Sequence, residues 1–182
     1  MKRQDTSRYT LPAIMLHWLM AFMIFGLFGL GLYMSDLPLS PRRLQLFAWH
    51  KWAGMLVLAL WCLRIGWRLL HQPPALPGGM PAWQEKIAGV THWALYGLML
   101  LVPLSGWLMS SASGFTVVMF GKWPLPNLLA ANHALGETLK TVHHVLNYVF
   151  IGVVGLHVLA AIQHQFLLRD GLLQRVLPKV RG

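Results

Sequence analysis

The stretch VHHVLNYVFIGVVGLHVLAAIQHQFLL, residues 142–168, decides the fold. It holds no Asp, Glu, Lys or Arg, and it exceeds the roughly 20 apolar residues that a helix needs to cross a bilayer. Within it, His143 and His157 are 14 residues apart. At helical geometry that is about 21 Å of rise and about 1400° of rotation, which returns within ~40° of the starting face. One helix therefore presents two imidazoles on one face at two membrane depths. His144 lies 13 residues from His157, about 1300° away and close to the opposite face, so His143 is the better partner in register.

Three more runs of spanning length precede this one, over residues 11–33, 46–70 and 87–109. Between them lie breaker-rich segments: Ser35 to Pro41, Gln72 to Pro81, and a longer loop over residues 111–141 containing Gly114, Gly121, Pro124 and Pro126. Within that loop, residues 134–140 read as a short helical extension. The expected architecture is all-α: an integral membrane four-helix up-down bundle, with residues 1–182 forming a single membrane domain.

Composition agrees. With 56% hydrophobic and 11% charged residues and a mean hydropathy of +0.53, the chain is too apolar for a water-soluble globule. The net charge of +10 arises from 15 Lys and Arg against 5 Asp and Glu. These cations flank apolar runs and form no basic patch, which favours anionic membrane lipid over nucleic acid as their counterpart. The single cysteine, Cys62, lies inside an apolar run, excluding a disulfide framework, a CxxC redox pair and a CxxCH haem attachment site. The first run follows Lys2, Arg3 and Arg8 but lacks a small-residue cleavage site, so it reads as a retained span.

Cytoplasmic flanks carry the excess of Lys and Arg. With the N-terminus inside, that side collects Lys2, Arg3, Arg8, Arg64, Arg68, Lys86, Arg169, Arg175, Lys179 and Arg181, leaving Arg42, Arg43, Lys51, Lys122 and Lys140 opposite. Both termini are expected to be cytoplasmic. Trp18, Trp49, Trp52, Trp83, Trp107 and Trp123 fall near predicted helix ends, where indoles gather at the membrane interface.

Nine histidines in so apolar a chain point to a proton path, a metal or a cofactor, because ionisable groups at membrane depth are costly. His50 begins the second run at the depth of His143, and His17 enters the first at the depth of His157. Two bis-histidine haem sites follow, one above the other. Iron held by two imidazoles has no open position and favours electron transfer. His92 on the third helix is a rival to His17 as the partner of His157. His164 is seven residues past His157 and within ~20° of its face, suited to donate a hydrogen bond or proton to a quinone. Gly26, Gly29, Gly31, Gly152 and Gly155 offer close approach for a porphyrin or a neighbouring helix. Transport of zinc or copper is the alternative, weakened by the absence of Asp or Glu from the predicted membrane interior.

The residues Leu16-His17-Trp18, Trp49-His50-Lys51 with Gly54, Thr91-His92 with Tyr96, His143, Gly155-Leu156-His157 and His164 resemble the bacterial cytochrome b561 family along nearly the whole chain. The resemblance implies a multi-pass protein of the bacterial inner membrane with two haem b, ligated by His17, His50, His143 and His157. It also implies electron flow from a periplasmic donor, superoxide in one type of member, to ubiquinone in the membrane. On that reading His92, His164 and Arg68 border the quinone, and Arg42, Arg43, Lys51, Lys122 and Lys140 form a funnel for an anion. The other expectation is an electron-transfer subunit, without turnover of its own, that docks a partner dehydrogenase or cytochrome.

Overall fold

The computed structural model describes residues 8–75 and 80–178. Lys2, Arg3, Lys179 and Arg181, counted above on the cytoplasmic side, lie outside the described residues. Four long helices dominate: α1 (Leu11–Ser35), α2 (Pro41–Leu70), α3 (Ala82–Ala112) and α4 (His133–Gln163). Each is long and apolar enough to cross a membrane. They pack up-down, consecutive helices side by side, and α3 and α4 share the most extensive interface.

Helices α2 and α4 outrun their apolar stretches because polar capping residues extend them. Ser40 accepts from the Arg43 amide at 3.3 Å, and Pro41 follows it as the first helical residue, where a missing N–H costs nothing. This starts α2 five residues before the apolar run over 46–70. Asn132 Oδ1 likewise accepts from the Leu135 amide at 3.1 Å, so residues 134–140 become the first turns of α4 and not a separate helix. The rest of the expected loop holds a minimal hairpin, β1 (Val118–Met119) paired antiparallel with β2 (Trp123–Pro124). Phe120 and Gly121 at its tip have positive φ. Trp52 Nε1 donates to Val118 O at 2.7 Å, tying the hairpin to α2.

At its far end α4 passes into a π-helical turn, His164–Leu168, then reverses through Arg169 (φ 52°) and Gly171 (φ 73°) into a 3₁₀ turn, Leu173–Arg175. This tail folds back as a strap. Tyr9 N donates to Arg175 O at 3.3 Å, Trp18 Nε1 to Val176 O at 2.7 Å, and Arg175 Nη1 to Ala75 O at 2.5 Å. Both terminal segments and the α2–α3 linker thus meet at one end of the bundle (the termini end). The α1–α2 loop and the hairpin occupy the other (the hairpin end).

Between the ends the bundle is filled by Met20, Val57, Tyr96, Leu98, Met99 and Phe150. Phe150 lies seven residues from both His143 and His157, and Val57 seven from both His50 and Arg64. The core plug therefore sits midway between the two histidine levels. Outward-facing apolar side chains such as Phe22, Leu63, Leu156 and Leu159 remain exposed. That pattern is the one a lipid-facing surface requires.

Candidate functional site

At the hairpin end, His50 from α2 and His143 from α4 line one narrow cavity of about 50 Å³ with Phe28, Val57, Met99 and Phe150. Ser105 Oγ lies 2.9 Å from His143 Nδ1 and itself donates to Val102 O at 2.7 Å. Val102 O is also 3.1 Å from His143 Nδ1, so Nδ1–H donates towards the carbonyl and leaves Nε2 open. That is the usual second-shell arrangement of a metal-ligating histidine. The imidazole lies against α3 because residue 106 is glycine: a Cβ there would stand 3.1 Å from His143 Cε1. His50 rests on Gly31 of α1 in the same way, at 3.4 Å. Its Nδ1 is buried with no hydrogen-bond partner, a costly condition that suits a site shaped around a further group.

At the termini end, the His17 and His157 ring centroids are 6.3 Å apart. Metal–nitrogen bonds of about 2 Å put two imidazoles on opposite sides of one ion at about 6 Å between centroids. His92 is also adjacent, its ring edge-on to His157 at 5.5 Å. His17 Nδ1 accepts from Arg64 Nη2 at 3.0 Å, which puts the proton of the neutral imidazole on Nε2, opposite to His143. Arg64 and Arg68 both lie over the Tyr96 ring, at 5.5 and 5.4 Å. Beside these histidines opens a cavity of about 720 Å³ lined by Arg8, Tyr9, Arg64, Trp67, Arg68, His71, His92 and Val176, among others. The strap forms part of its wall.

Of the expected quinone trio, His92 and Arg68 line this cavity together. His164 does not line it: its Nδ1 is 2.5 Å from Asp170 Oδ2, and Asp170 Oδ1 accepts from the Leu172 amide, so His164 is engaged in the turn that launches the strap. The five expected funnel cations share the hairpin end, and four of them have separate partners. Arg42 lies over Tyr33 and Arg43 over Phe47. Lys140 pairs with Glu137 at 3.4 Å, and Lys122 is exposed on the hairpin. Lys51, next to His50, donates to Ser110 Oγ at 2.8 Å and lies over Phe115.

Among the glycines expected to admit a close approach, only Gly31 meets a histidine; a Cβ on Gly26, Gly29, Gly152 or Gly155 would have nothing within 4 Å. Three contributors escaped the sequence reading. Arg64 was legible in principle, because it follows His50 by 14 residues, the spacing of His143 to His157. Gly106 and Ser105 had a fainter signal, a small polar pair just past Pro103 in an apolar helix.

No three His, Cys, Asp or Glu side chains among the described residues converge as a cage for a bare metal ion. Paired imidazoles suit iron whose other positions are filled by a macrocycle. Four apolar spans enclosing histidine pairs at two levels define a membrane protein built around a prosthetic group. The chain belongs to the prokaryotic cytochrome b561 family, whose model matches residues 8–179. It is a membrane electron carrier of that family, which implies haem b as its cofactor. It is 32% identical over 184 residues to the probable superoxide oxidase CybB of Yersinia pestis, covering 97% of this chain and 99% of that one. It is 30% identical over 180 residues to cytochrome b561 homolog 2 of Escherichia coli K12, covering 95% and 93%. A further E. coli relative, cytochrome b561 homolog 1, is 24% identical over 174 residues.

Proposed function

We propose that this protein carries single electrons across a bacterial inner membrane, from a periplasmic one-electron donor at the hairpin end to ubiquinone at the termini end. His50 and His143 would hold one haem b, and His17 and His157 the other. Both termini are then cytoplasmic, as the Lys and Arg bias requires. The observation that carries this reading is the pairing of imidazoles from different helices at two levels, with a packed core between them. Bound haem would supply reversible one-electron chemistry at each level.

The chain's own residues perform the remaining tasks. Ser105 and Val102 O orient His143, Gly31 and Gly106 admit the imidazoles, and the core around Phe150 excludes water between the levels. Arg64 holds a positive charge beside His17. His92 and Arg68 border the cavity that His17 also lines, where a quinone ring would meet that level, and Lys51 places a cation beside His50 where an anionic donor would arrive.

Superoxide is the donor that the Yersinia relative's name suggests, and it makes the protein a superoxide:quinone oxidoreductase. Pulsed superoxide added to purified oxidised protein should reduce it faster than it reduces a soluble high-potential cytochrome. Failure to do so removes superoxide as donor. An electron-transfer subunit that docks a protein donor is the second reading, favoured by the exposed aromatics Phe115, Phe120 and Trp123 at the hairpin end. Co-purification of a periplasmic cytochrome or dehydrogenase would support it.

A further inference from the structure

Reduction of a quinone to a quinol consumes two electrons and two protons, and the protons must come from the aqueous side of the site. The cavity at the termini end has an unusual wall for that task. Among the described residues its charged groups are Arg8, Arg64 and Arg68, with no Asp or Glu. Guanidinium does not release a proton in the neutral range. Burial, the largest influence on it, raises the Tyr9 phenol above its ordinary range, making it a poor acid. The second phenol of the wall, Tyr96, is buried beneath the Arg64 and Arg68 guanidiniums, and three histidines complete the titratable set: His17, His92 and His71. The first is engaged with Arg64 and faces His157. The second is half-buried, edge-on to His157.

His71 differs from both. It caps the C-terminus of α2, lines the cavity and is exposed to solvent. It is also held in place. Its backbone N–H donates to Trp67 O at 2.9 Å, its Nδ1–H donates to the same carbonyl at 3.2 Å, and its ring stacks on the Trp67 indole at 4.0 Å and 7°. Trp67 is anchored in turn by its Nε1–H to Thr10 Oγ1 at 2.8 Å. With Nδ1 committed to the carbonyl, Nε2 is the nitrogen left to accept a proton from water.

We propose that His71 is the proton-entry residue for quinone reduction in this cavity. This rests on the quinone reading above. In each cycle Nε2 binds a proton from the aqueous phase and gives it to a quinone oxygen, and the imidazole returns to neutral. Two such transfers accompany the two electrons delivered from the one-electron donor, so quinone plus two electrons plus two protons yields quinol.

The test is an anaerobic stopped-flow experiment in which chemically reduced holoprotein is mixed with a short-chain ubiquinone and loss of the reduced haem band is followed. His71→Gln keeps a donor for the Trp67 carbonyl but carries no exchangeable charge. It should slow reoxidation about tenfold, less than the roughly hundredfold or more typical for loss of an acid–base group because water shares the cavity. The deficit should grow as pH rises from about 6 to about 8, since hydronium is the substitute donor. Haem content and the rate of reduction by dithionite should match the parent. His71→Gly should be rescued by added imidazole. A His71→Gln protein that keeps pace with an active parent across the pH range overturns this proposal alone, as does a His71→Gly protein that imidazole leaves unchanged. A parent that retains its haem but gives no electrons to quinone overturns the quinone reading and this proposal with it.

Discussion

The two ends of the bundle each hold one of the two α4 histidines that lie 14 residues apart, in opposite surroundings. At the hairpin end the site is narrow and apolar, each imidazole rests on a glycine of another helix, and His143 is oriented by a backbone carbonyl and a serine. At the termini end three histidines and three arginines border a cavity of about 720 Å³. A site whose imidazoles are seated on the backbone of neighbouring helices holds its group in one geometry. A wide cationic one can also exchange protons and a second ligand with its surroundings. Under the proposed function this asymmetry corresponds to electron capture at the hairpin end and delivery at the end where a substrate could bind.

The sharpest way to break this comparison is to delete one imidazole from each end. His143→Ala should lose the hairpin-end haem and His157→Ala the termini-end haem, each leaving about half the parent's haem per chain by pyridine haemochrome assay, because a six-coordinate iron held by two histidines needs both. Loss of all haem from either variant would mean that the ends are not independent sites.

Removing support in place of a ligand should give a graded effect at the hairpin end alone. Ser105→Ala withdraws one partner of His143 Nδ1, and loss of such second-shell groups typically weakens metal affinity about tenfold or more. Haem retention during dilution should fall at this end while the other stays loaded.

Arg64→Gln probes the opposite end. Taking a cation from beside His17 disfavours the reduced, more negative state. The termini-end midpoint potential should drop by on the order of 40 mV, corresponding to about 1 kcal/mol of lost interaction. The hairpin-end potential should hold. Equal shifts at both ends would show that Arg64 acts through the whole fold.

The smallest effect belongs to the strap. Trp18→Phe removes the indole donor to Val176 O, a net loss of about 1 kcal/mol. Amide exchange of residues 173–177 should rise, with little change in haem content.

The four spans and the histidine register were legible because both depend on local periodicity. A run of apolar residues at bilayer length has few alternatives, and a 14-residue interval on a helix fixes face and depth together. Helix ends were less legible: Ser40 and Asn132 cap α2 and α4 with polar turns that hydropathy assigns to loops. Contacts made across helices were illegible without the fold. The approach of His143 to Gly106 joins residues 37 apart in sequence, and the strap's return to Arg8 and Trp18 spans nearly the whole chain. His164 shows the limit most clearly. The helix is α-helical up to Gln163, so the register of His164 with His157 holds, but the chain reverses after the π-helical turn and brings back Asp170, which takes the imidazole.

The most direct test of the account is the haem stoichiometry of the purified, detergent-solubilised protein, determined by pyridine haemochrome against quantitative amino-acid analysis. Two non-covalent haem b per chain is the predicted result. One haem per chain, or none, would contradict a bundle with an electron-carrying site at each end.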